Sequence, residues 1–128
     1  MIAELQAATH RVVDLLAGEL RELGLTPAEV NALARLRPAE PLAVAELVAA
    51  TGQRPSTLTG VIDRLERRGL LARVINARDR RSFVLELTPA GEAAARRVHA
   101  AFAALETRLR ERVGPGALEG FERVLREL

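Results

Sequence analysis

Along most of this chain apolar positions recur at helical spacing, and in one stretch they alternate. Leu5, Val12, Val13, Leu16, Leu20 and Leu23, with charged residues between them, predict a helix from Ile2 to Leu23 that Gly24 ends. Thr26-Pro27-Ala28-Glu29 has the form of a capping box with proline at the first helical position. There the Thr hydroxyl and the Glu carboxylate each satisfy a backbone N–H that a helix start leaves free. The helix opened in this way turns Val30, Leu33, Ala34 and Leu36 inward and ends before Pro38. Pro38 to Pro41 reads as a short connection, and a third helix from about Val44 to Ala50 offers Leu47 and Val48 before Thr51-Gly52 stops it. Pro55 opens a fourth helix whose Leu58, Val61, Ile62 and Leu65 fall at i, i+3, i+4 and i+7, with Gly69 as a left-handed stop.

Periodicity then changes. Leu70 to Ile75 and Ser82 to Leu87 read as strands, the second alternating Phe83, Leu85 and Leu87 with Ser82, Val84 and Glu86, as suits a sheet with one buried face. Asn76 to Arg81 lies between them as a long charged hairpin tip. Thr88-Pro89 caps a long helix to about Val113, with Val98, Phe102, Leu105 and Leu109 on one side, and the Ala-rich run Ala93 to Ala95 allows a neighbour to approach closely. Gly114-Pro115-Gly116 breaks that helix, and a last one presents Leu118, Phe121, Val124, Leu125 and Leu128. The expected fold is mainly α with a small β wing: one domain over 1–128, with a winged helix-turn-helix unit at 25–88. The helices of 1–24 and 89–128 lie outside that unit. Their apolar stripes exceed what one small chain can cover, so they are expected to pair in a homodimer.

Composition narrows the chemistry. The 128 residues fit one compact core, and with 48% apolar residues but only three aromatics, all Phe, that core is aliphatic. The absence of Cys excludes disulfides, thiolate metal sites and thiol redox switching. No apolar run approaches the roughly 18 residues of a membrane span, and Met1 to His10 does not resemble a secretory signal, so a cytoplasmic location is expected. Only His10 and His99 are candidates for a general base, and His10 with Asp14 is too sparse a pair to hold a metal. The acids are scattered, and no glycine-rich phosphate loop is present. Neither an enzyme, a cofactor nor a metal is expected.

Charge is unevenly placed. Between Thr51 and Phe83 there are eight Arg against three acids, a balance of +5, while the remainder of the chain is at −3. A mildly acidic body with one basic segment is the footprint of a surface for polyanions. On the fourth helix Ser56, Gly60, Asp63 and Arg67 point away from the apolar stripe, flanked by Thr57, Thr59 and Arg64. Short hydroxyls and a glycine let such a helix approach base edges closely, with Arg54 within reach of phosphate or guanine. A merely solvated helix would carry the same residue types. The hairpin tip tilts the balance: Arg78, Arg80 and Arg81 around Asp79 suit the minor groove, with Asp79 orienting an arginine. The competing reading is a winged-helix module for protein–protein contact that has lost DNA binding.

Three segments carry a family resemblance: Leu25-Thr26-Pro27-Ala28-Glu29, the run from Thr59 to Leu70, and Arg78-Asp79-Arg80-Arg81 followed by Leu87-Thr88-Pro89-Ala90-Gly91. In that order they resemble the MarR family of bacterial and archaeal regulators, over nearly the whole chain. The resemblance implies a dimeric DNA-binding transcriptional regulator, most often a repressor, on a pseudo-palindromic operator. It also implies a small-molecule effector site between the dimer helices and the winged unit, for which His10, Arg11 and His99 are the polar candidates. Arg81 matches the family's minor-groove arginine and Asp79 its orienting partner, while Ser56, Thr57, Thr59 and Arg64 fall on the major-groove helix. Asn76 stands where Asp is usual, a departure that bears on the wing turn.

Overall fold

The computed structural model describes residues 1–128 as six α-helices and three short strands. Helix α1 (Ile2–Glu19) runs into a 3₁₀ turn (Arg21–Leu23), so the first predicted helix tightens before Gly24, which takes left-handed φ of 60°. Helix α2 (Pro27–Arg35) begins with the expected capping box: Thr26 N–H donates to Glu29 Oε2 at 2.9 Å and Glu29 N–H donates to Thr26 Oγ1 at 3.3 Å. Helices α3 (Val44–Thr51) and α4 (Pro55–Arg67) form the helix-turn-helix. Their connection is pinned to α2 from both sides. Asn31 Nδ2 donates to the Thr51 carbonyl at 3.1 Å, and Gln53 Nε2 to the Ala28 carbonyl at 3.3 Å.

The sheet has three strands, not the two that alternation predicts. Strand β1 (Leu42–Ala43) adds to the outer side of β3 (Asp79–Leu87), which pairs antiparallel with β2 (Leu71–Asn76), giving the order β1-β3-β2. Leu42 sits opposite Leu85 and Ala43 opposite Val84. Two residues are too few to show a period, so this strand is invisible in sequence and exists only because β3 offers a free edge. The hairpin also departs from expectation. Asn76 pairs with Asp79, leaving a two-residue turn at Ala77-Arg78, while Ile75 pairs with Phe83. Arg80, Arg81 and Ser82 therefore bulge from β3 with no counterparts on β2.

A single core joins the winged unit to α5 (Pro89–Val113). Leu33, Leu36, Leu47, Leu58, Val61, Ile62, Leu65, Leu71, Leu85 and Val98 are all essentially inaccessible to solvent. The four inward positions of α4 are buried as its stripe requires. On α5 the buried face begins with Gly91, Ala94 and Ala95 and continues through Val98 and Ala101. The small residues permit close approach: a Cβ at Gly91 would lie 1.7 Å from the Leu70 carbonyl oxygen. Phe102 and Leu109, predicted on the apolar side of this helix, lie exposed instead. Helix α6 (Pro115–Arg126) buries no residue, and Phe121, Val124 and Leu125 remain open to solvent. No helix is long and apolar enough to cross a membrane.

Candidate nucleic-acid interface

Helix α4 is fixed from beneath by its apolar stripe and from the side by a buried carboxylate. Glu29, only 3% exposed, caps α2 with Oε2 and accepts from Arg64 Nε with Oε1 at 3.0 Å. Arg68 continues this edge by donating to the carbonyls of Leu23 (2.6 Å) and Gly24 (3.0 Å). Sequence placed Arg64 on the flank of the DNA-facing side. Its guanidinium is half-exposed there, but it also secures α4 to α2.

On the other side α4 is tied to the sheet. Arg73 of β2 donates to Asp63 Oδ1 at 2.5 Å and to Glu66 Oε1 at 2.8 Å, and its backbone N–H reaches Glu66 Oε2 at 3.3 Å. The hydrogen bond to Asp63, aided by the charges of both carboxylates, pushes the Arg73 guanidinium pKa further up. This cluster has an electrostatic consequence. Both acids of α4 are engaged by Arg73, and Glu29 is engaged by Arg64. Arg54, Arg67, Arg78, Arg80 and Arg81 form no ion pair. The free positive charge of the basic segment thus lies at the start of α4, along its outer face and at the wing.

Of the four residues that the helical wheel turns outward, Ser56 and Arg67 are exposed, whereas Gly60 and Asp63 are half-buried, Asp63 against Arg73. The flanking Thr57, Thr59 and Arg64 are exposed, and Arg54 occupies the N-cap position without a side-chain cap, so the first N–H groups of the helix face solvent. Thr59 Oγ1 donates to the Pro55 carbonyl at 3.0 Å, and Arg67 Nε to the Asp63 carbonyl at 3.4 Å.

The wing tip organises itself. Asn76 Oδ1 accepts from Arg78 N–H at 3.0 Å and Asn76 Nδ2 donates to Ser82 Oγ at 3.2 Å, bridging the base of the bulge. Ser82 Oγ in turn donates to the Asp79 carbonyl at 3.1 Å. Asp79 Oδ1 accepts from the backbone N–H of Arg81 at 3.1 Å. The charge-assisted bond expected between Asp79 and an arginine side chain does not form: Asp79 holds the Arg81 main chain, and the Arg81 guanidinium makes no ion pair. An Asn serves this turn because one amide both accepts from the turn and donates across the bulge, which a carboxylate cannot do.

The three residues suggested as effector liners do not converge. His10 and Arg11 are exposed on α1, whereas His99 is half-buried on α5 against the end of α2. There Arg37 Nη1 meets His99 Nε2, which must accept as the neutral ring. Burial first, and the Arg37 charge second, lower the His99 pKa. None of the three lines a cleft of about 500 Å³ between the winged unit and α5. That cleft has an apolar floor of Leu23, Leu25, Leu70 and alanines of α5, with Arg68, Arg96 and Arg97 around it. Sequence reasoning missed it because its walls come from three separated segments.

Comparison with known proteins agrees with this geometry. A family model described as MarR family matches residues 23–82, the winged unit. The chain is 35% identical over 88 residues to the HTH-type transcriptional repressor MdtR of Bacillus subtilis (strain 168), an alignment covering 69% of this chain and 57% of that protein. The chain thus matches little more than half the length of this curated relative. Among solved structures, BpsR of Bordetella bronchiseptica, studied for the regulation of its DNA binding by 6-hydroxynicotinic acid, superposes with a TM-score of 0.82 at 27% identity. That match covers 99% of this chain and 91% of BpsR. A probable transcriptional regulator from Pseudomonas aeruginosa gives 0.77 at 29% identity, covering 99% and 96%.

Proposed function

Because this chain belongs to the MarR family of winged helix-turn-helix regulators, we propose that it is a homodimeric, sequence-specific DNA-binding repressor. The observation that carries this reading is the separation of paired from unpaired arginine. Carboxylates of the same chain hold Arg64 and Arg73 in ion pairs, whereas Arg54 and Arg67 at the ends of α4 and Arg78, Arg80 and Arg81 of the wing remain unpaired. In this reading α4 enters the major groove, with Ser56, Thr57 and Thr59 against base edges and the uncapped helix start near phosphate. The wing lies over the neighbouring minor groove, where Arg81, held by Asp79, meets the strongest negative potential. The repressor role follows the related MdtR by analogy. An effector, as with BpsR, would act where the winged unit meets α5, in the cleft where Arg68 and Arg97 are already engaged by Glu29 and Glu22 and Arg96 carries the one unpaired charge.

Titration of a duplex from the flank of its own gene, at several salt concentrations, tests the proposal. About four to five phosphate contacts per protomer, each contributing roughly −0.9 to the log–log slope, give a steep loss of affinity with salt. Arg81→Ala should weaken binding and flatten that slope while leaving the melting temperature unchanged, because Arg81 is exposed and supports no core residue. A response indifferent to salt would return the chain to the protein–protein reading.

A further inference from the structure

Beside the arginine bulge lies an apolar pair that the fold does not use. Directly paired residues of antiparallel strands project to one face, as do alternate residues along each strand. Leu71, Arg73 and Ile75 of β2 therefore share a face with Leu87, Leu85 and Phe83 of β3. From one end to the middle this face is core, with Leu71 and then Leu85 buried. In the middle Arg73 reaches across to Asp63 and Glu66, so the face looks toward α4. At the tip the core has ended, and Ile75 and Phe83 are 60% and 50% exposed.

We infer that Ile75 and Phe83 form an apolar pad that presses on the deoxyribose surface of duplex DNA, on the strand between the groove entered by α4 and the groove entered by the wing. This rests on the DNA-binding reading and adds a contact that charge does not supply. Phosphates project outward from a duplex, but the sugars between them present C–H surface, and a pad between two arginine-bearing elements meets that surface when they engage. The surrounding charge selects the occupant. The wing tip, Arg78-Asp79-Arg80-Arg81, carries three positive charges against one negative, so a second copy docked pad to pad would bring like net charges together. A polyanion with apolar sugar edges fits both features.

The test uses the 128-residue chain and a duplex from the flank of its own gene. Phe83→Ala should cost about tenfold in affinity through lost apolar burial. Its salt slope should equal that of the unsubstituted protein, because no counterion is released at this contact. Phe83→Leu should restore most of the loss, and neither change should move the melting temperature. Since the chain contains neither Trp nor Tyr, Phe83→Trp introduces the sole indole, whose emission should shift to the blue and become shielded from acrylamide when duplex is added. Identical emission and quenching with and without saturating DNA would overturn the inference even if the protein binds. So would shielding that grows with protein concentration before DNA is added, which would assign the pad to a second copy. A lowered melting temperature in Phe83→Ala without rescue by Leu would make the pair a strut of the wing. If the unsubstituted chain shows no salt-dependent binding to the duplex, the DNA-binding reading itself fails, and this one with it.

Discussion

At the residue scale, Glu29 is a carboxylate taken out of water beneath a helix that carries several arginines. Its two oxygens are satisfied by Thr26 N–H and by Arg64. Removing Arg64 leaves a buried acceptor short of a donor, whereas removing Arg81 leaves only solvent behind. Arg64→Ala should accordingly lower stability by about 1–3 kcal/mol, measured by urea denaturation, in addition to any effect on DNA. The half-exposure of the guanidinium keeps the cost from being larger. His99 offers a second residue-scale prediction. Its pKa is lowered from 6.5 by burial and by Arg37, so the unfolded chain binds a proton more readily than the folded one. Stability from this site is therefore complete above about pH 6.5 and declines as pH falls below it. In His99→Gln the corresponding slope between pH 7 and 5 should disappear from the denaturation midpoints.

At the scale of elements, the join between the wing and α5 is a close backbone approach. Thr88 Oγ1 donates to the Gly69 carbonyl at 2.5 Å and accepts from Gly91 N–H at 3.0 Å, while Thr88 N–H donates to the Leu70 carbonyl at 3.2 Å. Gly91 lies directly over that carbonyl. Gly91→Ala forces the backbones apart and should destabilise by about 3 kcal/mol or more, seen as a lower denaturation midpoint at constant m-value. Gly18→Ala is the control. A Cβ there meets nothing within 4 Å, so relief of glycine's helical entropy should raise stability by about 0.5–1 kcal/mol. The motif around Gly91 was legible in sequence as a Thr-Pro cap and a family-like run. The bulge on β3 was not legible, because a two-residue turn with three unpaired residues and a six-residue loop give the same string of letters. Which one forms depends on where Asn76 finds its hydrogen bonds.

At the scale of the whole molecule, the two ends of the chain are unlike its middle. Met1, Ile2, Leu15, Val113, Phe121 and Leu128 are all exposed, and α6 buries nothing. Covering these positions by a two-fold partner would remove them from water and set two α4 helices about one helical turn of DNA apart, ~34 Å. Sedimentation should therefore give a dimer at micromolar concentration, and a duplex with two inverted half-sites at that spacing should bind far more tightly than one carrying a single half-site. Equal affinities for the two duplexes would show that the protomers do not read DNA as a symmetric pair.

Local chemistry decided much of this protein. Helix starts at Pro27, Pro55 and Pro89, stops at Gly24, Gly52 and Gly69, the buried stripe of α4 and the basic character of the segment from Thr51 to Phe83 all depend on neighbours within a few residues, so they can be read directly from the chain. Tertiary structure alone decided which arginines remain free, because Arg64 finds Glu29 across 35 positions and Arg73 finds Asp63 across ten. It also decided that Leu42-Ala43 becomes a strand and that Phe83, correctly phased for the core, lies beyond its edge. Periodicity fixes the side of an element on which a residue sits, but not how far the packed interior extends along that side.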